Sequence, residues 1–73
     1  MDFTQCLGEH LKLVRVERGM TQEELSKKVG IKSYYISRIE NGKLDIRLQT
    51  LIKLTEGLNI QLSELFSKVE KDL

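Results

Sequence analysis

The stretch Thr21-Gln22-Glu23-Glu24-Leu25-Ser26-Lys27-Lys28-Val29-Gly30-Ile31-Lys32-Ser33-Tyr34-Tyr35-Ile36-Ser37-Arg38-Ile39-Glu40-Asn41-Gly42 decides the reading of this chain. Thr21 followed three residues later by Glu24 has the form of a capping box, in which each side chain answers a free N–H at the start of a helix. That helix runs through Val29 and closes at Gly30, whose missing Cβ suits the left-handed residue that ends a helix. A second helix is expected over about Ser33 to Glu40, with Asn41-Gly42 able to supply the left-handed stop. Two short helices joined by a tight, glycine-containing turn follow from these signals. Leu25 and Val29 can pack on Ile36 and Ile39, with Ile31 plugging the corner, which leaves Ser33, Tyr34, Ser37 and Arg38 on the outer face. Tyr34 and Tyr35 are adjacent, so both cannot point inward.

Outward from this pair the pattern stays helical. Phe3, Leu7, Leu11 and Val14 recur at three- and four-residue spacing and predict a first helix over about Phe3 to Arg18, stopped by Gly19. A fourth is expected over about Leu48 to Glu56, with Leu48, Leu51, Ile52 and Leu54 inward and Gly57 as the stop. A fifth begins near Gln61 and runs past Phe66 toward Val69. Proline is absent and no repeat or low-complexity segment interrupts the plan. The fold expected is all-α: one compact five-helix domain over residues 1–73.

A chain of 73 residues leaves no room for a second sensing or catalytic domain. No apolar run approaches the ~20 residues needed to span a bilayer, and the N-terminus lacks the basic start and apolar run of a secretory signal. A cytoplasmic protein with no membrane partner is therefore expected. The single Cys6 can form no internal disulfide, and with His10 as the one histidine a usual zinc site is not expected, nor any other metal or cofactor. Cys6 reads as a small, half-buried helix residue and His10 as a surface residue. There is no phosphate-binding Gly-Lys-Ser/Thr loop and no set of nucleophile and base for a catalytic triad, so the chain does not read as an enzyme. The net charge is only +1, yet its distribution is uneven. Lys32, Arg38, Lys43 and Arg47 stand against Glu40 and Asp45 between residues 31 and 47, whereas residues 61–73 carry more acid than base.

The ordered set Leu7-Gly8, Arg15, Gly19-Met20-Thr21-Gln22, Tyr35-Ile36-Ser37, Ile39-Glu40-Asn41-Gly42, Leu51 to Leu58 and Leu62-Ser63-Glu64-Leu65-Phe66 resembles the Cro and phage-repressor (Xre) family of helix-turn-helix proteins. The short form looks like the controller proteins of restriction-modification systems. The resemblance implies a lambda-repressor-like domain that binds double-stranded DNA and regulates transcription, with no small-molecule ligand. It implies that Lys32, Ser33, Tyr34, Ser37 and Arg38 face base edges, Arg38 being able to pair bidentately with guanine. Gln22, Tyr35, Lys43 and Arg47 would contact the DNA backbone, and Arg15 and Glu40 would form a structural ion pair. Two positions depart from the common pattern: Lys32 and Arg47 stand where small capping residues are frequent. An antitoxin-like or anti-repressor module that keeps the fold but binds protein is the alternative.

The fifth helix, about residues 61–70, offers apolar residues beyond what docking one short helix requires. A homodimer joined through Ile60, Leu62, Phe66 and Val69 is expected, reading a near-palindromic operator with half-sites one helical turn apart.

Overall fold

The computed structural model describes residues 2–73. Among them are five helices and no strand: α1 Phe3–Glu17, α2 Gln22–Val29, α3 Ser33–Glu40, α4 Leu48–Gly57 and α5 Leu62–Lys71. Among the described residues, no helix is long and apolar enough to cross a membrane.

Local chemistry sets the boundaries. Thr21 Oγ1 accepts the Glu24 N–H at 3.0 Å and Glu24 Oε1 accepts the Thr21 N–H at 2.8 Å, so the start of α2 is closed in both directions. These bonds from Thr21 hold the Glu24 carboxyl below its ordinary pKa, because they favour the charged form. A second capping box, between Asp2 and Gln5, opens α1. Gly30 and Gly42 end α2 and α3 at φ of +74° and +67°, a region that side chains with a Cβ enter at a cost.

The core gathers Leu7, Leu11 and Val14 of α1, Leu25 of α2, Ile36 and Ile39 of α3, Leu51 and Leu54 of α4, and Leu65 and Val69 of α5. Helix α1 is the axle: it packs on both α3 and α5, while α2 packs on α3 and α4. Gly8 allows α1 to approach the end of α3, since a Cβ there would fall inside the van der Waals radius of the Ile39 carbonyl oxygen. Gly57 does the same between α4 and α2. It lies within α4 rather than stopping it, with the Val29 methyl occupying the space a Cβ would need. The stop passes to Leu58 and to Asn59, whose φ is +56°.

Three apolar expectations are corrected. Leu48 and Ile52 point outward, 62% and 40% exposed, because α4 turns Leu51, Leu54 and Gly57 toward the interior, and Leu44 and Ile46 of the preceding loop also pack on the core. Phe3 is likewise exposed, its ring edge-on to the Phe66 ring at 6.0 Å. Ile60 and Val69, read as partner-facing, are inside: Val69 is fully buried and Ile60 is 7% exposed. A domain this small needs these side chains for its own core. Leu62 and Phe66 are half-buried against that core.

Candidate nucleic-acid interface

Helix α3 is held from inside. Its Ile36 and Ile39 are buried, and its last residue, Glu40, receives a fork of bonds. Arg15 Nε donates to Glu40 Oε2 at 2.7 Å and Arg15 Nη2 to Oε1 at 3.0 Å. Gln22 Nε2 adds a third bond to Oε1 at 2.9 Å, and Arg15 Nη1 reaches the Met20 carbonyl at 2.7 Å. Arg15 and Glu40 are 8% and 7% exposed, so both charges are desolvated and their mutual neutralisation is what permits the burial. This one carboxylate ties α1, the start of α2 and the end of α3 together.

The opposite face of α3 is open. Tyr34 is 72% exposed, Tyr35 is exposed, and Ser33, Ser37 and Arg38 are half-buried. Lys32 is exposed at the N-cap position and makes no side-chain cap bond. The Arg38 guanidinium lies 5.9 Å from the Tyr34 ring centroid, within cation–π range, and donates a long 3.4 Å bond to the Lys43 carbonyl. That long, exposed bond leaves the guanidinium open to a stronger acceptor. Asn41 Nδ2 donates to the Ser37 carbonyl at 2.9 Å and toward its hydroxyl at 3.4 Å, bracing the last turn.

Beyond α3 the chain carries exposed Lys43 and Arg47 over the loop that leads to α4. The loop is tied back to α1, where Thr4 donates its hydroxyl to Asp45 at 3.0 Å, and Gly42 rests against Gln5. The outer residues of α3 and these two cations thus share one stretch of chain, braced by Asn41 and Thr4. Gln22 commits one amide hydrogen to Glu40 and keeps the second for another acceptor. Among the described residues, the side chains of Lys32, Lys43 and Arg47 form no ion pair and stay exposed to solvent.

Sequence reasoning missed the bracing residues. Asn41, a helix stop in the sequence pattern, also sends its amide back one turn. Arg18, taken as the last residue of the first helix, donates its Nε to the Leu58 carbonyl at 2.9 Å and pins the end of α4. Cys6 and His10 also sit elsewhere than expected: Cys6 is fully buried, and His10 is half-buried against Asp72.

Comparison with known proteins bears on this geometry. A family model described as helix-turn-helix matches residues 11–65. The control protein C.MunI of Mycoplasma sp is 42% identical over 72 residues, covering 97% of each chain. Antitoxin HipB of Escherichia coli K12 is 40% identical over 57 residues, 78% of this chain and 65% of its own. Among solved structures, the restriction-modification controller protein C.Esp1396I, as a tetramer in complex with its natural 35 base-pair operator, superposes with a TM-score of 0.89 at 28% identity, covering 97% of this chain and 93% of that one.

Proposed function

This chain belongs to the helix-turn-helix family, and from that premise we propose that it is a sequence-specific DNA-binding transcriptional regulator of the restriction-modification controller type. The observation that carries the reading is the outward face of α3. Tyr34 and Arg38 stand exposed or half-exposed there on a helix whose inner face and far end are fixed by Ile36, Ile39 and the Arg15–Glu40 fork. A helix held this way can enter the major groove as a rigid reader. Lys32, Ser33, Tyr34, Ser37 and Arg38 read base edges. Tyr35, Lys43 and Arg47, with the second amide hydrogen of Gln22, hold the backbone and set the register. No catalytic step belongs to this function, which is exercised on DNA in the cytoplasm.

The functional unit is a homodimer. C.Esp1396I assembles on its operator as a tetramer, and this chain leaves Leu48 and Ile52 exposed one turn apart on α4. Exposed large apolar side chains on one helix face suit a second copy of the same chain, because a twofold axis pairs a patch with itself. The interface therefore moves from Ile60 and Val69 to Leu48 and Ile52, with half-buried Leu62 and Phe66 as further contributors. Two such reading helices address half-sites one helical turn apart, about 34 Å.

Selection of bound fragments from random DNA, followed by titration at several salt concentrations, tests the reading. A near-palindromic consensus is expected, with affinity falling steeply with salt as phosphate contacts release counterions. Failure to enrich any sequence, with salt-independent capture of a protein partner instead, would favour the antitoxin-like alternative that the similarity to HipB raises.

A further inference from the structure

Helix α1 carries Cys6 and His10 one turn apart, and the residue that ends α5, Asp72, lies against them. The Cys6 sulfur, a His10 ring nitrogen and an Asp72 carboxylate oxygen are all within 4.8 Å of one another. None of the three lies on α3 or in the loop to α4, so reading DNA makes no use of them. His10 Nε2 is 2.5 Å from Asp72 Oδ2, and the Cys6 thiol donates to the Val69 carbonyl at 3.6 Å.

We propose that Cys6, His10 and Asp72 form a binding site for a divalent zinc ion that clasps the end of α5 to α1. Sulfur, imidazole nitrogen and carboxylate oxygen are the three donor types zinc accepts, at bonds of about 2.0–2.3 Å in a tetrahedron. Such bonds place neighbouring donor atoms about 3–4 Å apart, so the three must rearrange by roughly an ångström. Cys6 and His10 are four residues apart on a rigid helix, where side chains face the same way. The adjusting partner is Asp72, whose side chain is 60% exposed at the C-cap of α5. Moving it away from His10 opens the space for the ion, and solvent on the Asp72 side supplies the fourth ligand. A mixed sulfur, nitrogen and oxygen set selects zinc over calcium or magnesium, which take oxygen.

Binding breaks the Cys6 S–H bond, the electron pair going to the metal and the proton to solvent. In the metal-free protein burial raises the Cys6 pKa, and the nearby carboxylates of Asp72 and Glu9 add to it. The cation reverses this balance by neutralising the thiolate and Asp72 together. The sequence alone conceals the site, since its third ligand is 62 residues from His10 and is delivered only by the packing of α5 on α1.

Cobalt(II) titration of the tag-free chain, with zinc as competitor, tests the site. One equivalent of cobalt should give a thiolate charge-transfer band in the near ultraviolet and strong visible bands of four-coordinate metal, both abolished by zinc. Zinc should also raise the melting temperature. Asp72→Asn and His10→Asn should each weaken binding by at least about tenfold, and Cys6→Ala should remove the thiolate band. Absence of that band in the parent chain overturns the proposal. So does undiminished binding by Asp72→Asn and His10→Asn, two variants whose substitutions lie outside the apolar core and which decide the matter even if Cys6→Ala does not fold.

Discussion

Replacement of Glu40 by Ala removes the carboxylate on which Arg15 and Gln22 converge. The Arg15 guanidinium, 9% exposed at its side chain, is then left as a buried charge whose surviving bond is to the Met20 carbonyl. Breaking a buried ion pair from one side costs about 3–5 kcal/mol, and the surviving Met20 bond places this case near the lower end. A domain of 73 residues has roughly 4–11 kcal/mol of total stability, so about 3 kcal/mol is a large share of it. In a chain of this size each kcal/mol moves the melting temperature by roughly 4–8 °C, and a fall of at least about 10 °C is expected. Thermal and urea denaturation followed by circular dichroism measure it directly. The double variant Arg15→Met with Glu40→Leu should recover much of the loss, since an apolar pair of similar volume escapes the desolvation cost. A single-variant melting temperature equal to the parent's, or a coupling between the two positions below about 0.5 kcal/mol, would refute the view that this fork holds α3 in place.

Other outcomes follow from the same geometry. Arg38→Ala should weaken binding to the selected operator by about 1–3 kcal/mol and leave random-DNA binding nearly unchanged; equal losses on both in a fixed-salt titration would make Arg38 a phosphate contact only. Gly8→Ala should destabilise by roughly 1–3 kcal/mol by forcing α1 from the Ile39 carbonyl, visible in urea midpoints, and a neutral result would contradict the close approach. Ile52→Asp should sediment as a monomer and lose steep operator binding while keeping its helical content; an unchanged dimer would exclude the α4 face. Glu24 has its pKa lowered in the native state, so its contribution is complete above the unfolded-state carboxylate pKa and is lost as pH falls through the native one. Glu24→Gln should therefore show a shallower loss of stability on acidification, and parallel curves for the two proteins would argue against the capping box as its source.

Much of this architecture is written in local chemistry. Thr21 with Glu24, and the glycines at 30 and 42, mark helix ends because caps and left-handed residues act within a few positions of themselves. The outward set on α3 follows from the spacing of Ile36 and Ile39 alone. What local pattern does not reveal is which of several apolar residues wins the interior. Leu48 and Ile52 satisfy a helical spacing as well as Leu51 and Leu54 do, and the rotation of α4 shows itself only in tertiary contacts such as Val29 against Gly57. Gly57 itself misled for the same reason, since a glycine needed for close packing and one needed for a turn look alike in sequence. Ile60 and Val69 show the complementary limit: amphipathicity reports that a face is apolar and not whether a partner or the chain's own α1 covers it. Asn41 and Gln22, whose amides reach back to Ser37 and across to Glu40, needed three-dimensional neighbours to be read at all.

The manner in which α3 is mounted separates two properties that many proteins keep entangled. Its position depends on atoms that face inward, namely Ile36, Ile39, the Glu40 carboxylate and the backbone carbonyl against Gly8. Tyr34, on the opposite side, meets little of the scaffold beyond the Arg38 guanidinium. Under the proposed function, exchange of Tyr34 and Arg38 for other residues therefore changes which bases are preferred while sparing the fold that presents them. Specificity and stability are thus assigned to opposite sides of one eight-residue helix.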